Sequence, residues 1–340
     1  MAQAAVSPDS PALPLTAGRG FTPASVLKFL VQRRETPVVV VTVLAIIYFG
    51  LRTSAIFEVA NIIATTQYMG PILVIGAGEV LMLVLAEIDL SAGQVYLTAP
   101  WFVYWFWHAG VPVGFAIVIS LLLCATIGLT NGLITVLLGV PSLIVTLGMQ
   151  FLLYGVVLVV SSYTQEEIPG SGTFATIFGA GAWADLLWGS GIVVAIWFLL
   201  KHTRFGLHVT ATGGNTLAAA EAGIRVARVK VWCFMIIATA SGFIGILDLI
   251  RFQSMDPGDY GLNIVLGPIV AAVIGGTALT GGRATVVGTF VGALFLAVVE
   301  DGLNLIGMSA NDFYLFEGII ILGLMILNVQ LRRVAFRYRR

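Results

Sequence analysis

Ten long apolar segments constrain the fold of this chain more than any other feature of its sequence. A transmembrane helix needs about 20 predominantly apolar residues to cross a hydrocarbon core of about 30 Å. Charged residues make up only 10% of the 340 residues, whereas a soluble domain carries about 25%. The sequence therefore predicts an all-α integral membrane protein. The predicted spans are 37–57, 59–85, 90–108, 112–138, 141–161, 186–200, 231–251, 263–279, 285–305 and 314–330.

Lysine and arginine residues are distributed very unevenly between the two sides that these spans define. If the N-terminus is inside, 15 of the 17 lie in inner segments, and only Arg52 and Arg251 lie outside. Loops on the cytoplasmic side of a membrane are enriched in Lys and Arg. We therefore expect an even number of spans with both termini in the cytoplasm. The inner residues are Arg19, Lys28, Arg33, Arg34, Lys201, Arg204, Arg225, Arg228, Lys230, Arg283, Arg332, Arg333, Arg337, Arg339 and Arg340.

The chain divides into one membrane domain and two short tails. Residues 1–36 are rich in Pro, Ala and Ser and lack the pattern of a cleaved signal peptide, so we expect a cytoplasmic tail. Residues 37–330 form the predicted transmembrane domain, and 331–340 form a basic cytoplasmic tail. Glycine and proline interrupt several spans, as at 70–71 and 139–141, and such breaks are tolerated only against protein or a watery cavity. This pattern favours a packed bundle of partly broken helices around a pathway.

The sequence lacks the common patterns of an enzyme. No HExxH pair, GxSxG turn or GxxxxGK[ST] phosphate loop occurs in it, so the chain alone is not expected to hydrolyse ATP. Its two cysteines, Cys124 and Cys233, lie in apolar runs and suggest neither a disulfide framework nor a zinc site. We expect no catalytic residue, no metal, no cofactor and no nucleic-acid partner.

The longest predicted cytoplasmic loop, 201–230, contains a candidate short helix with the sequence NTLAAAEAG. Asn215 or Thr216 can cap its N-terminus, the alanines that follow favour helix, and Gly223 can end it in the left-handed conformation. A helix of two turns is unstable alone in water, so flanking structure or a partner must hold it. A solvated connector remains the alternative to a docking element.

Four stretches of the chain are AEIDLSAG (86–93), VPSLIVTLG (140–148), GGNTLAAAEAGIRVARVK (213–230) and VIGGTALTGGRATVVGTFVGAL (273–294). In this order they resemble stretches of the permease subunits of bacterial ABC sugar importers, in the branch for ribose, xylose, galactose and autoinducer-2. The resemblance covers about 37–330. Two stretches depart from the usual pattern: Ala86-Glu87 stands where that family commonly has Gly-Gly, and Arg283 stands where glycine is frequent. Glu79, upstream of these stretches, occupies a position that is normally uncharged.

Membership of that family implies a ten-span permease of the bacterial inner membrane. It implies a second permease chain, two cytoplasmic ATPase subunits that bind ATP, and a periplasmic binding protein that delivers a monosaccharide of the pentose or hexose type. The short helix in 213–224 is then the segment that docks on the ATPase. The residues implied in that coupling segment are Gly214, Asn215, Ala219, Ala220, Gly223 and Ile224.

The acids within the predicted spans need a reason, because an ionised carboxylate at the bilayer centre costs about 3 kcal/mol. Asp89 and Ser91 precede a helix and have the side chains that cap helix starts. Glu87 has no such role in the sequence pattern, so we expect it to face a pathway between two permease chains, with a rim position as the alternative. Candidate pathway residues are Glu87, Asp89, Ser91, Asn131, Glu300 and Asn304.

The same acids leave a rival interpretation open. Carboxylates inside membranes often relay protons, as in proton-coupled secondary transporters. Such a carrier has no use for a capped helix displayed in the cytoplasm, and for that reason the permease is the preferred hypothesis. The sequence does not name the sugar, and it does not distinguish a homodimer from a heterodimer.

Overall fold

The computed structural model describes residues 35–167 and 175–308, together with the helical residues 315–316, 318–319, 322–323 and 326. Most of the predicted N-terminal tail, most of the tenth predicted span and the whole C-terminal tail lie outside the described residues. The other nine predicted spans each contain a helix. The helices are α1 (Thr36–Arg52), α2 (Val59–Val84), α3 (Ala92–His108), α4 (Val113–Leu137), α5 (Ser142–Ser161), α6 (Ala184–His202), α7 (Arg204–Gly214), α8 (Thr216–Glu221), α9 (Val226–Phe252), α10 (Gly261–Ile274) and α11 (Val286–Leu305).

The prediction of an all-α membrane protein is confirmed. Within the described residues, strand is limited to an antiparallel pair of two-residue segments, β1 (Glu166–Glu167) and β2 (Ser254–Met255). In the same part of the chain, six helices (α2, α4, α5, α6, α9 and α11) are long and apolar enough to cross a membrane. The apolar helix α1 is shorter than these six.

Three predicted details differ from the structure. The first span ends at Arg52 rather than at residue 57, because Thr53 is extended, its side chain accepts from the Ala55 N–H, and a 3-10 turn follows. The eighth span ends at Ile274 rather than at residue 279, because the chain turns at Gly276 with φ 107°. At Pro71 the expected interruption is absent, since α2 continues through it. Neighbouring helices allow membrane helices to tolerate proline.

Helix α2 lies at the centre of the bundle. Every residue from Ile72 to Leu85 is buried, and α2 packs against α6, α9, α10 and α11. Glycines permit the closest helix contacts, as expected where small residues let membrane helices approach. A Cβ atom on Gly245 of α9 would lie 2.0 Å from the Tyr96 carbonyl oxygen of α3. The core is therefore held by backbone contact as well as by side-chain packing.

The two ends of the bundle differ in charge. The C-terminus of α2 meets the segments 213–214 and 281–282 and the start of α9, and we call this the basic end. The pair of β1 and β2 marks the opposite end, where Arg251 is neutralised by Asp185 and Asp248. The described residues at the basic end include Lys201, Arg204, Arg225, Arg228, Lys230 and Arg283.

Candidate functional site

The segment that joins α2 to α3, which we call the acidic loop (85–91), begins with a strained turn. The Glu87 N–H donates to the Met82 carbonyl and the Ala86 N–H donates to the Leu83 carbonyl, which is the Schellman pattern at a helix end. Ala86 occupies the left-handed position with φ 58°. Residues with a side chain pay about 1 kcal/mol or more there, whereas glycine does not.

Four other helix ends in the described residues show the same hydrogen-bond pattern, and all four have glycine at the left-handed position. These glycines have φ values between 79° and 107°. Among these five helix-ending turns, Ala86 is thus the exception, because the other four have glycine at the left-handed position. The four are Gly110, Gly223, Gly276 and Gly307.

Glu87 is paired. Its Oε1 lies 2.5 Å from the Nζ of Lys230 on α9, and the two side chains are 13% and 21% exposed. The pair fixes the acidic loop to the start of α9 across 143 positions of sequence. No local sequence pattern could reveal this partner. Glu87 therefore has a structural role that the sequence alone did not indicate, beside the pathway role expected of it.

Asp89, Ser91 and Asn131 form one buried network. The Asp89 Oδ1 accepts from the Ser91 N–H at 3.0 Å and from the Ser91 Oγ at 2.6 Å, and the Asn131 Nδ2 donates to the Ser91 Oγ at 2.9 Å. All three side chains are fully buried. Asp89 thus satisfies a backbone N–H next to the start of α3. Ser91 occupies the N-cap position, but its side chain makes no cap hydrogen bond to the helix, contrary to the expected capping role.

Helix α5 holds the other side of the acidic loop. The Ile88 N–H donates to the Ser142 Oγ at 3.3 Å, and the Leu90 N–H donates to the Thr146 Oγ1 at 3.1 Å. Glu79 of α2 is fully buried and close enough to Asp89 for their charges to interact. The acidic loop is therefore anchored to α4, α5 and α9, with a further carboxyl group behind it.

The short helix predicted in the 201–230 loop is present as α8. The Asn215 Oδ1 accepts from the Ala218 N–H at 3.0 Å, which is the predicted cap, and Gly223 ends the helix with φ 83°. Of the six residues expected in the coupling segment, Ala219 is buried and Ile224 is half-buried, so these two attach α8 to its own chain. The exposed ones are Gly214, Asn215, Ala220 and Gly223.

A contact that we call the glycine junction (Val84, Gly213, Gly281 and Gly282) joins the end of α7, directly before α8, to the end of α2, directly before the acidic loop. The Gly282 N–H donates to the Val84 carbonyl oxygen at 2.8 Å. A Cβ atom on Gly213 would lie 1.8 Å from that same oxygen, and one on Gly281 would lie 2.9 Å from the Gly213 oxygen. Only glycine permits this approach. The sequence analysis did not predict a role for Gly213, although the Gly-Gly pairs at 213–214 and 281–282 are evident in the sequence.

Glu300 and Asn304 lie far along α11 from this site. Gly302, between them, packs on the Phe49 ring near the end of α1, whereas Gly288 at the start of α11 packs on Gly275 near the basic end. Glu300 is half-buried and Asn304 is exposed. The structure therefore brings together Glu87, Asp89, Ser91 and Asn131 but not the whole expected pathway set.

A second polar cluster joins three helices at the opposite end. Arg251 of α9 lies 2.6 Å from Asp185 of α6 and 2.5 Å from Asp248, whose other oxygen accepts from the Tyr96 hydroxyl of α3 at 2.5 Å. The two carboxylates compensate the arginine charge. This pairing explains how one of the two predicted outside cations is accommodated in a largely buried position.

These features define a multi-pass helical membrane protein in which a short exposed helix lies near a loop whose Asp89 is buried. The chain belongs to the family described as the permease component of the branched-chain amino acid transport system, which matches residues 61–327. The family consists of transporter components, and the family resemblance of the four sequence stretches is confirmed.

The curated relatives are named as sugar permeases. The chain is 33% identical to the xylose/arabinose import permease protein XylH of Sulfolobus acidocaldarius over 91% of this chain and 89% of the relative. It is 31% identical to the ribose import permease protein RbsC of Escherichia coli over 78% of this chain and 84% of the relative. It is 34% identical to the L-arabinose ABC transporter permease protein AraH of Azospirillum brasilense over 74% of both chains. No solved structure matches.

Proposed function

We propose that this chain is the permease subunit of an ABC importer that admits a monosaccharide of the pentose or hexose type. The names of the relatives support a sugar, and three of them refer to pentoses. We further propose that a periplasmic binding protein delivers the sugar and that two separate ATPase subunits drive its passage. A second permease chain, identical or related, completes the pathway.

The observation that carries this proposal is the physical link between an exposed helix and the membrane interior. Helix α8 is too short to be stable alone, yet it is capped at both ends and presents most of its surface to solvent. It packs against α7, and the end of α7 reaches the end of α2, next to the acidic loop, through the glycine junction. A displacement of α8 by an ATPase is thereby transmitted to residues at membrane depth.

We propose that the basic end faces the cytoplasm of a bacterium and that the protein lies in the inner membrane. The clustering of cations at this end supports that orientation under the positive-inside rule. Both termini are then cytoplasmic, with 1–36 and 331–340 as tails. In this orientation α8 is available to an ATPase, and the pair of β1 and β2 faces the binding protein.

Within the site we assign different tasks to neighbouring residues. Asp89, Ser91 and Asn131 hold the acidic loop in shape, because they bond to one another in the interior. Glu87 lies at the rim of that loop and couples it to α9, and we propose that it borders the pathway when two permease chains associate. Glu300 and Asn304 belong to a more distant part of the pathway on α11.

The coupling role is tested with two glycine variants matched in backbone strain. Gly223→Leu alters the end of α8, and Gly110→Leu alters the same turn at the end of α3, where likewise no atom would meet a Cβ. Each variant is reconstituted in vesicles with the cognate ATPase and binding protein, and ATP-driven uptake of labelled xylose, arabinose, ribose and fructose is measured. We expect Gly223→Leu to lose ATPase binding and uptake, and Gly110→Leu to retain both at equal folded yield.

Two outcomes would contradict the proposal. Wild-type uptake by Gly223→Leu with the ATPase still bound would remove the coupling role from α8. Uptake that a protonophore abolishes and that ATP depletion does not affect would show a proton-coupled carrier instead.

A further inference from the structure

Two adjoining depressions at the basic end combine positive charge with an apolar surface. The first has a volume of about 320 Å³ and is lined by Arg225, Arg228 and His208 together with Phe205 and Trp232. The second has a volume of about 210 Å³ and shares the same Phe205 and Trp232. Together they form one amphipathic groove between α6 and α7 on one side and α9 on the other.

Among the described residues, no acid forms an ion pair with the arginines of the groove. Arg225 and Arg228 are exposed, and both line the first depression, Arg225 from the N-cap position of α9 and Arg228 from its first turn. The ion pairs among the described residues involve Lys230 and Arg251 but neither of these arginines. Glu221 of the nearby α8 is exposed and joins neither of them. An anionic group therefore finds two free guanidinium groups.

The groove changes from polar to apolar along the direction of α9. Trp232 is seven residues beyond Arg225, which corresponds to about 10 Å of helix, and its side chain is 54% exposed. Ile236 is a further turn along and lines the second depression with Leu199. Tryptophan is enriched where a membrane protein crosses from headgroups to hydrocarbon. The cations thus lie at headgroup level and the apolar half lies at the depth of acyl chains.

We propose that this groove binds an anionic phospholipid such as phosphatidylglycerol. Its phosphate lies against Arg225 and Arg228, and one acyl chain follows Phe205, Trp232 and Ile236. Basic pockets between membrane helices are suited to anionic headgroups, and an adjoining apolar channel selects a lipid over a free anion. Gly223, which ends α8, also borders the first depression. The bound lipid therefore contacts the base of the helix assigned to ATPase coupling.

The proposal is tested on the full-length chain in nanodiscs that contain phosphatidylethanolamine with a minority of phosphatidylglycerol. Lipid retained after transfer to detergent is counted by native mass spectrometry. We expect selective retention of phosphatidylglycerol by the wild type. Its affinity should fall about 30-fold, equivalent to about 2 kcal/mol, in the double variant R225Q/R228Q.

The matched control is K201Q/R204Q, which removes two exposed cations of the same end that do not line the groove. It should retain phosphatidylglycerol within about threefold of the wild type. Equal losses in the two double variants would overturn the proposal, because they would show a diffuse charge effect. Equal retention of both lipids by the wild type would also overturn it.

A second measurement locates the acyl chain. Phosphatidylglycerol brominated on its acyl chains should quench tryptophan fluorescence of the wild type more than that of Trp232→Phe, while millimolar inorganic phosphate should neither displace the lipid nor stabilise the protein. Stabilisation by phosphate alone would show an anion site without a lipid. Shielding of Trp232 from a water-soluble quencher by the ATPase subunit, with no quenching by the lipid, would make the groove a protein interface and refute the lipid site.

Discussion

The pair between Glu87 and Lys230 gives the sharpest test of what the acidic loop does. With charges 2.5 Å apart and both side chains mostly buried, the direct attraction is about 7 kcal/mol at an effective dielectric constant of about 20. Removing the two groups from water opposes this by several kcal/mol, so a net coupling of about 1–3 kcal/mol remains. The coupling is measured with three variants: Glu87→Gln, Lys230→Gln and the double variant that carries both substitutions.

We expect each single variant to lower stability, because it leaves one charge partly buried without its partner. The loss of stability in the double variant should be smaller than the sum of the losses in the two single variants. The measurement is thermal unfolding of the purified protein in detergent, followed by fluorescence-detected size-exclusion chromatography, with ATP-driven uptake measured in parallel. The exposed pair Lys201→Gln and Arg204→Gln serves as a control for nonspecific loss of charge.

The result that refutes this reasoning is simple additivity. If the double variant equals the sum of the singles within about 0.5 kcal/mol, Glu87 and Lys230 do not stabilise the fold as a pair. If, in addition, Glu87→Gln unfolds at the wild-type temperature but changes uptake, Glu87 acts only at the pathway. Coupled stability together with altered uptake supports both tasks for this residue.

Three further predictions concern the backbone around the acidic loop. Ala86→Gly should raise stability by about 1 kcal/mol, seen as a higher unfolding temperature, because glycine removes the left-handed strain; an unchanged or lower temperature would contradict it. Gly213→Ala should abolish the folded yield because its Cβ would meet the Val84 oxygen, whereas Gly214→Ala, with open space around it, should fold at the wild-type yield; equal folded yields of the two variants would contradict the role of the glycine junction. Asp89→Asn should keep the folded yield, since an amide oxygen accepts the same two hydrogen bonds. Asp89→Ala should lower the free energy of unfolding by about 1–3 kcal/mol and so reduce the folded yield. Loss of folding in Asp89→Asn would show that the charge of Asp89 is required.

Much of the fold follows from local patterns, and these were visible in the sequence. Apolar runs located nine helices, and the residue types at positions 215 and 223 predicted both ends of α8. Local sequence rules gave wrong helix breaks and helix ends where contacts between helices determine them. Pro71 remains inside a helix because neighbouring helices support it, and α10 ends early because residues 275 and 276 turn against the start of α11.

The sequence predicted which residues belong to the candidate site but not which residues they contact. Sequence singled out Glu87, Asp89 and Asn131 as polar residues in an apolar chain, because an acid or amide in a membrane requires a reason. It could not show that Lys230 neutralises Glu87, or that Gly213 touches Val84, since these contacts join positions more than a hundred residues apart. The buried Ala219 likewise depends on how α8 lies on the bundle.

Several departures from ordinary local rules lie close together in the acidic loop. Ala86 adopts a conformation that the equivalent turns leave to glycine, Glu87 is an acid within a membrane domain, and Asp89 is a fully buried carboxyl group facing Glu79. Such departures are expected where function opposes the easiest fold. Contacts from three helices hold the loop in place, and the glycine junction adds the end of α7 as a fourth attachment beside it. In the coupling that we propose, a movement of α8 therefore acts through α7 and the glycine junction on the surroundings of Ala86, whose backbone is already strained.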